Sequence, residues 1–128
     1  MPAQKISRLL WHRLALLGLP AAMLAPSVAL SRPAQLHDSY PGAEAIIRGR
    51  NADYVIRFDG PVDHLASRMQ ITQSGRVVHV LRPLADSAVD VLFASGVVPP
   101  PGHYALQWEA VSGTGEVSRG EIPFTVIP

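Results

Sequence analysis

Residues 101–112 read PGHYALQWEAVS, and this stretch decides the fold class. Between residues 103 and 111, larger apolar side chains alternate with polar or small ones. A repeat of two residues is typical of a β-strand that buries one face. The face that we expect to be buried is formed by Tyr104, Leu106, Trp108 and Ala110. A rigid run of three prolines, residues 99–101, precedes the strand and cannot lie inside a sheet.

The same alternation recurs on both sides of this strand. The other runs with a period of two are Asp53–Asp59, Met69–Gln73, Arg76–Leu81, Ala88–Phe93 and Ile122–Val126, with weaker runs at Leu36–Tyr40 and Ala45–Arg48. Ser74-Gly75 predicts a hairpin turn between two of them. No run after residue 31 has a helical apolar period longer than two turns. The sequence therefore predicts an all-β protein, an antiparallel β-sandwich of seven or eight strands.

Alternation also sorts the side chains of each run onto two faces. We expect Tyr54, Ile56 and Phe58 to share one face, and Met69 and Ile71 to belong to the core. Val89, Val91 and Phe93 share one side of their run, and Val78 and Val80 lie opposite an outward His79. Ile122, Phe124 and Val126 form the apolar face of the last run.

The first 31 residues have the organisation of a secretory signal peptide. Lys5, Arg8 and Arg13 precede residues 14–30, which carry no charge, and small residues follow. We expect cleavage after Ser31, with Ala29 as the alternative, and hence a mature domain of residues 32–128 in the periplasm. The alternative is an uncleaved segment that tethers the domain to the membrane. The mature domain has eight arginines, no lysine and ten acidic residues, a net charge of −2.

Composition and motifs exclude several classes of function. The chain has no cysteine, which excludes disulfide scaffolds, thiolate metal sites and thiol nucleophiles. It has no phosphate-binding loop, dinucleotide fingerprint or paired-histidine zinc motif, and we expect no enzyme activity. The net charge of the whole chain, +1, gives no electrostatic footprint for nucleic acid. The mature histidines, at positions 37, 64, 79 and 103, are not spaced as paired metal ligands, and surface positions explain them.

Four segments together resemble the CopC family of periplasmic copper-resistance proteins. Residues 34–41 read AQLHDSYP, similar to the family's opening H-A-x-L-x-x-S-x-P, and residues 55–62 read VIRFDGPV, similar to its strand ending in F-S-x-P-V. Residues 101–112 resemble P-x-G-x-Y-x-V-x-W-x-x-x-S, and Gly120 with residues 124–126 resembles the closing G-x-x-x-F-x-V. The resemblance implies an immunoglobulin-like Greek-key sandwich and a role in copper homeostasis or resistance.

The resemblance also implies where a Cu(II) site would lie. Members of the family bind Cu(II) through an N-terminal histidine with its free amine and through the Asp and His of a later loop. Matching Leu36 and Ser39 to the family places Pro33 at the first histidine, and matching Ser112 and Gly120 places Thr114 at the Asp and Glu116 at the His. The nearest substitutes are His37 and Glu116, our candidate metal ligands. The methionine-rich loop that supplies a Cu(I) site in some members is absent.

Three functions remain open at this point. The first is a copper-homeostasis protein that binds copper weakly or through altered ligands. The second is a metal-free periplasmic interaction module that acts on a partner, such as an inner-membrane copper-transport protein or another periplasmic protein. The third, an enzyme subunit or small-ligand carrier, has no positive feature in the sequence. Either a monomer or an oligomer is compatible with the residues.

Overall fold

The computed structural model describes residues 32–128, so the predicted signal segment lies outside the described residues. Eight strands make up the domain. They are β1 (Leu36–Tyr40), β2 (Ala45–Ile47), β3 (Asn51–Phe58), β4 (Arg68–Gln73), β5 (Arg76–Leu81), β6 (Val91–Val97), β7 (Gly102–Val111) and β8 (Val117–Val126). Residues 32–128 contain no helix, and thus none that could cross a membrane.

The strands form two sheets of unequal width. The small sheet has the order β1-β3-β6, and the large sheet has the order β2-β8-β7-β4-β5. All pairings are antiparallel except that of β2 with β8, which is parallel along three residues. The chain changes sheets after β1, β2, β3, β5 and β6, as it does in Greek-key sandwiches. The predicted all-β sandwich is confirmed.

The core lies between the sheets and is built from the faces that alternation selected. Tyr54, Ile56 and Phe58 of β3 are buried, and so are all four predicted inward residues of β7, including Trp108 at 6% exposure. Phe58 and Trp108 meet edge to face across the core, with ring centroids 5.1 Å apart. Such aromatic pairs add stabilisation beyond the apolar area that they bury. The predicted core positions on β4 and β8 are buried as well.

A glycine on β8 makes room for the central tryptophan. Gly120 is the register partner of Trp108, and the two positions share the inner face. A Cβ atom built on Gly120 would lie 2.5 Å from Cζ2 of Trp108 and 2.8 Å from its Cε2. The indole therefore rests directly on the glycine backbone, a close approach that only a residue without a side chain allows.

Strand β6 departs from the burial expected of its apolar run. The strand begins at Val91, not at residue 88, and it buries Leu92 and Ala94. The side that carries Val91 and Phe93 is half-buried and faces outward, while Val89 precedes the strand and is 67% exposed. Because β6 is apolar on both faces, its sequence could not tell which face meets the core.

Strand β5 reverses the faces that its alternation predicted. His79 and Leu81 pair with the inward Ile71 and Met69 of β4, whereas Val80 pairs with the outward Gln70, so the expected outward His79 is wrong. Only Leu81 is buried, against Gly96 of β6, and Val80 is 71% exposed. Val80 is thus exposed because it lies on the outer face of the large sheet. On the inner face, β6 covers Leu81 but leaves His79 exposed.

Candidate metal centre

The N-terminal segment lies against one end of the sandwich. Ala34 is buried, and its carbonyl accepts a hydrogen bond of 2.7 Å from the Ser118 hydroxyl of β8. Gln35 and Asp59 exchange two hydrogen bonds: the Gln35 N–H donates to Oδ1 of Asp59, and the Asp59 N–H donates to the Gln35 carbonyl, both at 2.9 Å. These contacts attach the first described residues to the end of β3.

A cleft of about 280 Å³ lies between this segment and the β7–β8 loop. Its walls are Arg32, Pro33, Ala34, Asp59, Gly60, Pro61, Ser112, Gly113 and Thr114. Pro33 and Thr114, two of the three positions that the resemblance matched to copper ligands, thus line one cleft although 81 residues separate them in the chain. This agrees with the residue-by-residue match to the family.

An ion pair occupies the acidic side of the cleft. Nη1 of Arg32 lies 3.1 Å from Oδ2 of Asp59. The other carboxylate oxygen of Asp59 already accepts the Gln35 N–H. The single carboxylate among the cleft residues is therefore paired with an arginine, which repels a metal cation from the same place.

The β7–β8 loop is fixed by one buried serine. Oγ of Ser112 accepts the N–H groups of Thr114 at 3.3 Å and Glu116 at 3.0 Å, and it lies 3.1 Å from the Thr114 hydroxyl. The Ser112 N–H donates to the Glu116 carbonyl at 2.8 Å, and the Gly113 N–H donates to the Pro61 carbonyl at 3.1 Å. The loop is held by its own polar groups, and the hydroxyl of Thr114 is engaged within it.

The two candidate ligands are not among the residues that line the cleft. His37 is exposed on β1, at a register shift between Leu36 and Asp38, and Glu116 is half-buried at the end of the loop. Next to His37, the Asp38 carboxylate is bound by the Arg57 guanidinium, with Nη2 of Arg57 2.6 Å from Oδ2. The Arg57 hydrogen bond holds the pKa of Asp38 below its ordinary value, so this carboxylate is committed to an arginine.

The donor set at the cleft does not fit Cu(II). Imidazole and amine nitrogens in a square-planar arrangement suit this ion, whereas the cleft side chains offer a hydroxyl pair and a carboxylate already in an ion pair. Across residues 32–128, no three histidine, aspartate or glutamate side chains are grouped closely enough to hold a metal ion. His37 and Glu116 remain predictions as ligands of an improvised site.

One histidine has a structural role that its sequence did not reveal. Nε2 of His64 lies 2.9 Å from the Ala88 carbonyl and 2.8 Å from the Val91 carbonyl, so this nitrogen carries the proton and donates to both. His64 thereby ties the β3–β4 connection to the start of β6. No local motif marks this role, since its acceptors are backbone atoms more than 20 residues away.

The outer face of the large sheet has a groove of about 420 Å³, and most of its polar side chains are paired with one another. Arg119 lies 2.9 Å from Glu109, and Gln107 donates to Glu121 at 3.0 Å and accepts from Gln70. Arg68 has no salt bridge within residues 32–128, and the buried indole N–H of Trp108 has no hydrogen-bond partner there.

Comparison with known proteins agrees with the fold. A family model described as the CopC domain matches residues 36–127. The chain belongs to the CopC family. The crystal structure of CopC from Methylosinus trichosporium OB3b is similar, with 26% identity, coverage of 74% of this chain and 94% of that chain, and a TM-score of 0.62.

A second similar structure is PcoC, a methionine-rich copper resistance protein from Escherichia coli. It has 20% identity and a TM-score of 0.60, with coverage of 75% of this chain and 100% of that chain, and it supports the fold. No curated protein matches the sequence. The CopC-family assignment places the chain among copper-resistance proteins, while the cleft carries proline and threonine where the resemblance calls for ligands.

Proposed function

We propose that this CopC-family protein serves copper homeostasis or resistance in the periplasm through contact with a protein partner, and that it has no tight Cu(II) site at the family position. The observation that carries the proposal is the cleft itself. Pro33 and Thr114 line it, and Arg32 neutralises its carboxylate, Asp59.

The chemistry of these side chains supports the loss of tight copper binding. Proline has no side-chain donor, and a neutral hydroxyl is a poor ligand beside a carboxylate or an imidazole. A cation entering the cleft would also have to displace the Arg32 guanidinium from Asp59. Retention of the buried core and of the loop hydrogen bonds, with loss of the donors, is the pattern expected when a scaffold is kept for its surface.

The partner that best suits the family context is an inner-membrane copper-transport protein or another periplasmic protein. The sequence carries no recognised catalytic motif, and the role that we propose is binding. The signal-like residues 1–31 and the family assignment support the proposed periplasmic location.

A Cu(II) titration of residues 32–128, followed by absorption and calorimetry, tests the metal part of the proposal. We expect binding no tighter than exposed histidines provide. Weak binding could come from exposed histidines in general or from an improvised site at His37 and Glu116. The variants His37→Ala and Glu116→Ala separate these two sources, because only the improvised site is lost in both. A tight one-to-one complex with nitrogen-dominated spectra would overturn the proposal.

A gain-of-binding variant provides the matched control. Pro33→His, Thr114→Asp and Glu116→His, made together in a chain that starts at position 33, restore the donors and the free amine. We expect tight Cu(II) binding in this variant. If it binds no copper, these three positions do not correspond to the family's ligands.

A further inference from the structure

The edge of strand β5 has backbone groups with no partner in the domain. β5 is the last strand of the large sheet and pairs only with β4. Within residues 32–128, no hydrogen bond joins its backbone or side chains to any other element. A strand edge of this kind is a template onto which another extended chain can add.

Each of the other three edges is covered, very short or charged in mid-strand. At β6, the Leu84 N–H donates to the Phe93 carbonyl at 2.8 Å, and Ser87 and His64 both reach the Val91 carbonyl. β2 has only three residues, and β1 carries Asp38 in mid-strand. β5 has six residues with no proline and no covering loop, and its bulge at Val78 leaves Val77, Val78 and Val80 exposed.

Apolar surface accompanies this free edge. Val77, Val78 and Val80 are 49%, 40% and 71% exposed. Beside the edge, His79 shares a groove of about 760 Å³ with the apolar residues Val97, Val98, Pro99, Pro100, Pro101, Val126 and Ile127. An added strand would place alternate side chains toward the groove and toward the valines.

The positive charge around β5 favours a partner segment that carries acidic side chains. Residues 64–85 contain Arg68, Arg76 and Arg82 and no acidic residue, although the mature domain as a whole is acidic. Neither Arg76 nor Arg82, at the two ends of β5, has a salt bridge within the described part of the chain. Opposite charges facing each other across a strand pair stabilise it, and like charges destabilise it.

The same charges disfavour the two occupants that this chain could itself supply. Antiparallel pairing of β5 with β5 of a second copy would bring the Arg76 end of one strand beside the Arg82 end of the other. Residues 1–31 contain Lys5, Arg8 and Arg13 and no acidic residue. A segment of another protein that carries acidic side chains meets neither repulsion.

We propose that β5 is a docking edge for an extended segment of a partner protein that is apolar in its middle and carries an acidic residue near each end. The segment adds to β5 as a sixth strand of the large sheet, its carboxylates face Arg76 and Arg82, and its apolar side chains cover the exposed valines and enter the groove. The docking edge supplies the partner contact of the proposed function and rests on it to that extent.

Synthetic peptides added to isotope-labelled residues 32–128 test the docking edge, with chelator present so that copper plays no part. The probe is a nine-residue peptide with a valine-rich centre, one glutamate near each end and blocked termini. We expect amide resonances to shift in residues 76–82 and in the groove. A lysine–valine peptide of the same pattern should bind about tenfold more weakly, since two cross-strand charge pairs are exchanged for repulsions.

Two controls separate strand addition from general attraction of charges. A glutamate–valine peptide N-methylated at every residue keeps its charge but carries methyl groups along both edges, and we expect it not to bind. The protein variant Arg76→Glu with Arg82→Glu should prefer the lysine–valine peptide, whereas Arg119→Glu, three strands away on β8, should keep the original preference.

Several outcomes would overturn the docking edge. They are equal binding of the N-methylated peptide, shifts located elsewhere, no shift at millimolar peptide, or a concentration-dependent dimer joined through β5. None of these bears on the Cu(II) titration, so failure of the docking edge and failure of the proposed metal loss are distinguishable.

Discussion

Gly120→Ala is the substitution for which the structure makes the sharpest stability prediction. The new methyl group would lie 2.5 Å from Cζ2, 2.8 Å from Cε2 and 3.0 Å from Nε1 of Trp108. Carbon atoms in a packed core are normally about 3.5–4.0 Å apart, so the overlap approaches 1 Å at two ring atoms. The indole is rigid and packs against Phe58 on its other side. Either the ring or the backbone of β8 has to move.

Overpacking of this kind costs about 1–3 kcal/mol of unfolding free energy. In a domain of this size, the corresponding drop in Tm is about 4–8 °C per kcal/mol. Phenylalanine lacks all three ring atoms that the methyl group approaches. Trp108→Phe combined with Gly120→Ala should therefore cost less than the sum of the two single changes, with a coupling of about 1 kcal/mol.

Urea denaturation of residues 32–128, followed by circular dichroism and by tryptophan fluorescence, measures these free energies. Trp108 is the only tryptophan in this range, so the fluorescence of wild type and Gly120→Ala reports on the site itself. Gly60→Ala is the matched control, because a Cβ at that position meets nothing within 4 Å. Equal stability of the two alanine variants, or strict additivity in the double variant, would refute the close-packing explanation.

Three further outcomes are expected. Trp108→Ala should lower the unfolding free energy by about 3–5 kcal/mol in the same denaturation assay, because it empties the centre of the core. Burial raises the pKa of Tyr54 to about 12. Between pH 10 and 12 the folded state therefore keeps the phenol proton that the unfolded state releases, so the free energy of unfolding should fall as the pH rises through this window. The fall should be smaller in Tyr54→Phe, which has no phenol proton. N-terminal sequencing of exported protein should begin at Arg32, and recovery of the intact N-terminus in a membrane fraction would indicate an anchor instead.

At the cleft, the family resemblance predicted the positions of some residues but not their contacts. Matching motifs by spacing placed Pro33 and Thr114 at ligand positions, and the structure brings both to one cleft. The Arg32–Asp59 ion pair was not predictable, since the partners are 27 residues apart and neither belongs to a recognised motif. His64 was missed for the same reason, because its backbone acceptors become neighbours only when β6 is in place.

The sequence by itself determined the all-β class and the inner faces of β3, β7 and β8. On these strands apolar and polar residues alternate, and the hydrophobic effect leaves one choice of buried face. Tertiary structure decided the rest. Strand β6 is apolar on both faces, so only its pairing with β3 selected Leu92 and Ala94 for the core. Strand β5 alternates too, but the bulge at Val78 and the register with β4 place Val80 on the outer face and His79 on the inner one, and the register of a strand pair is a property that no single strand encodes.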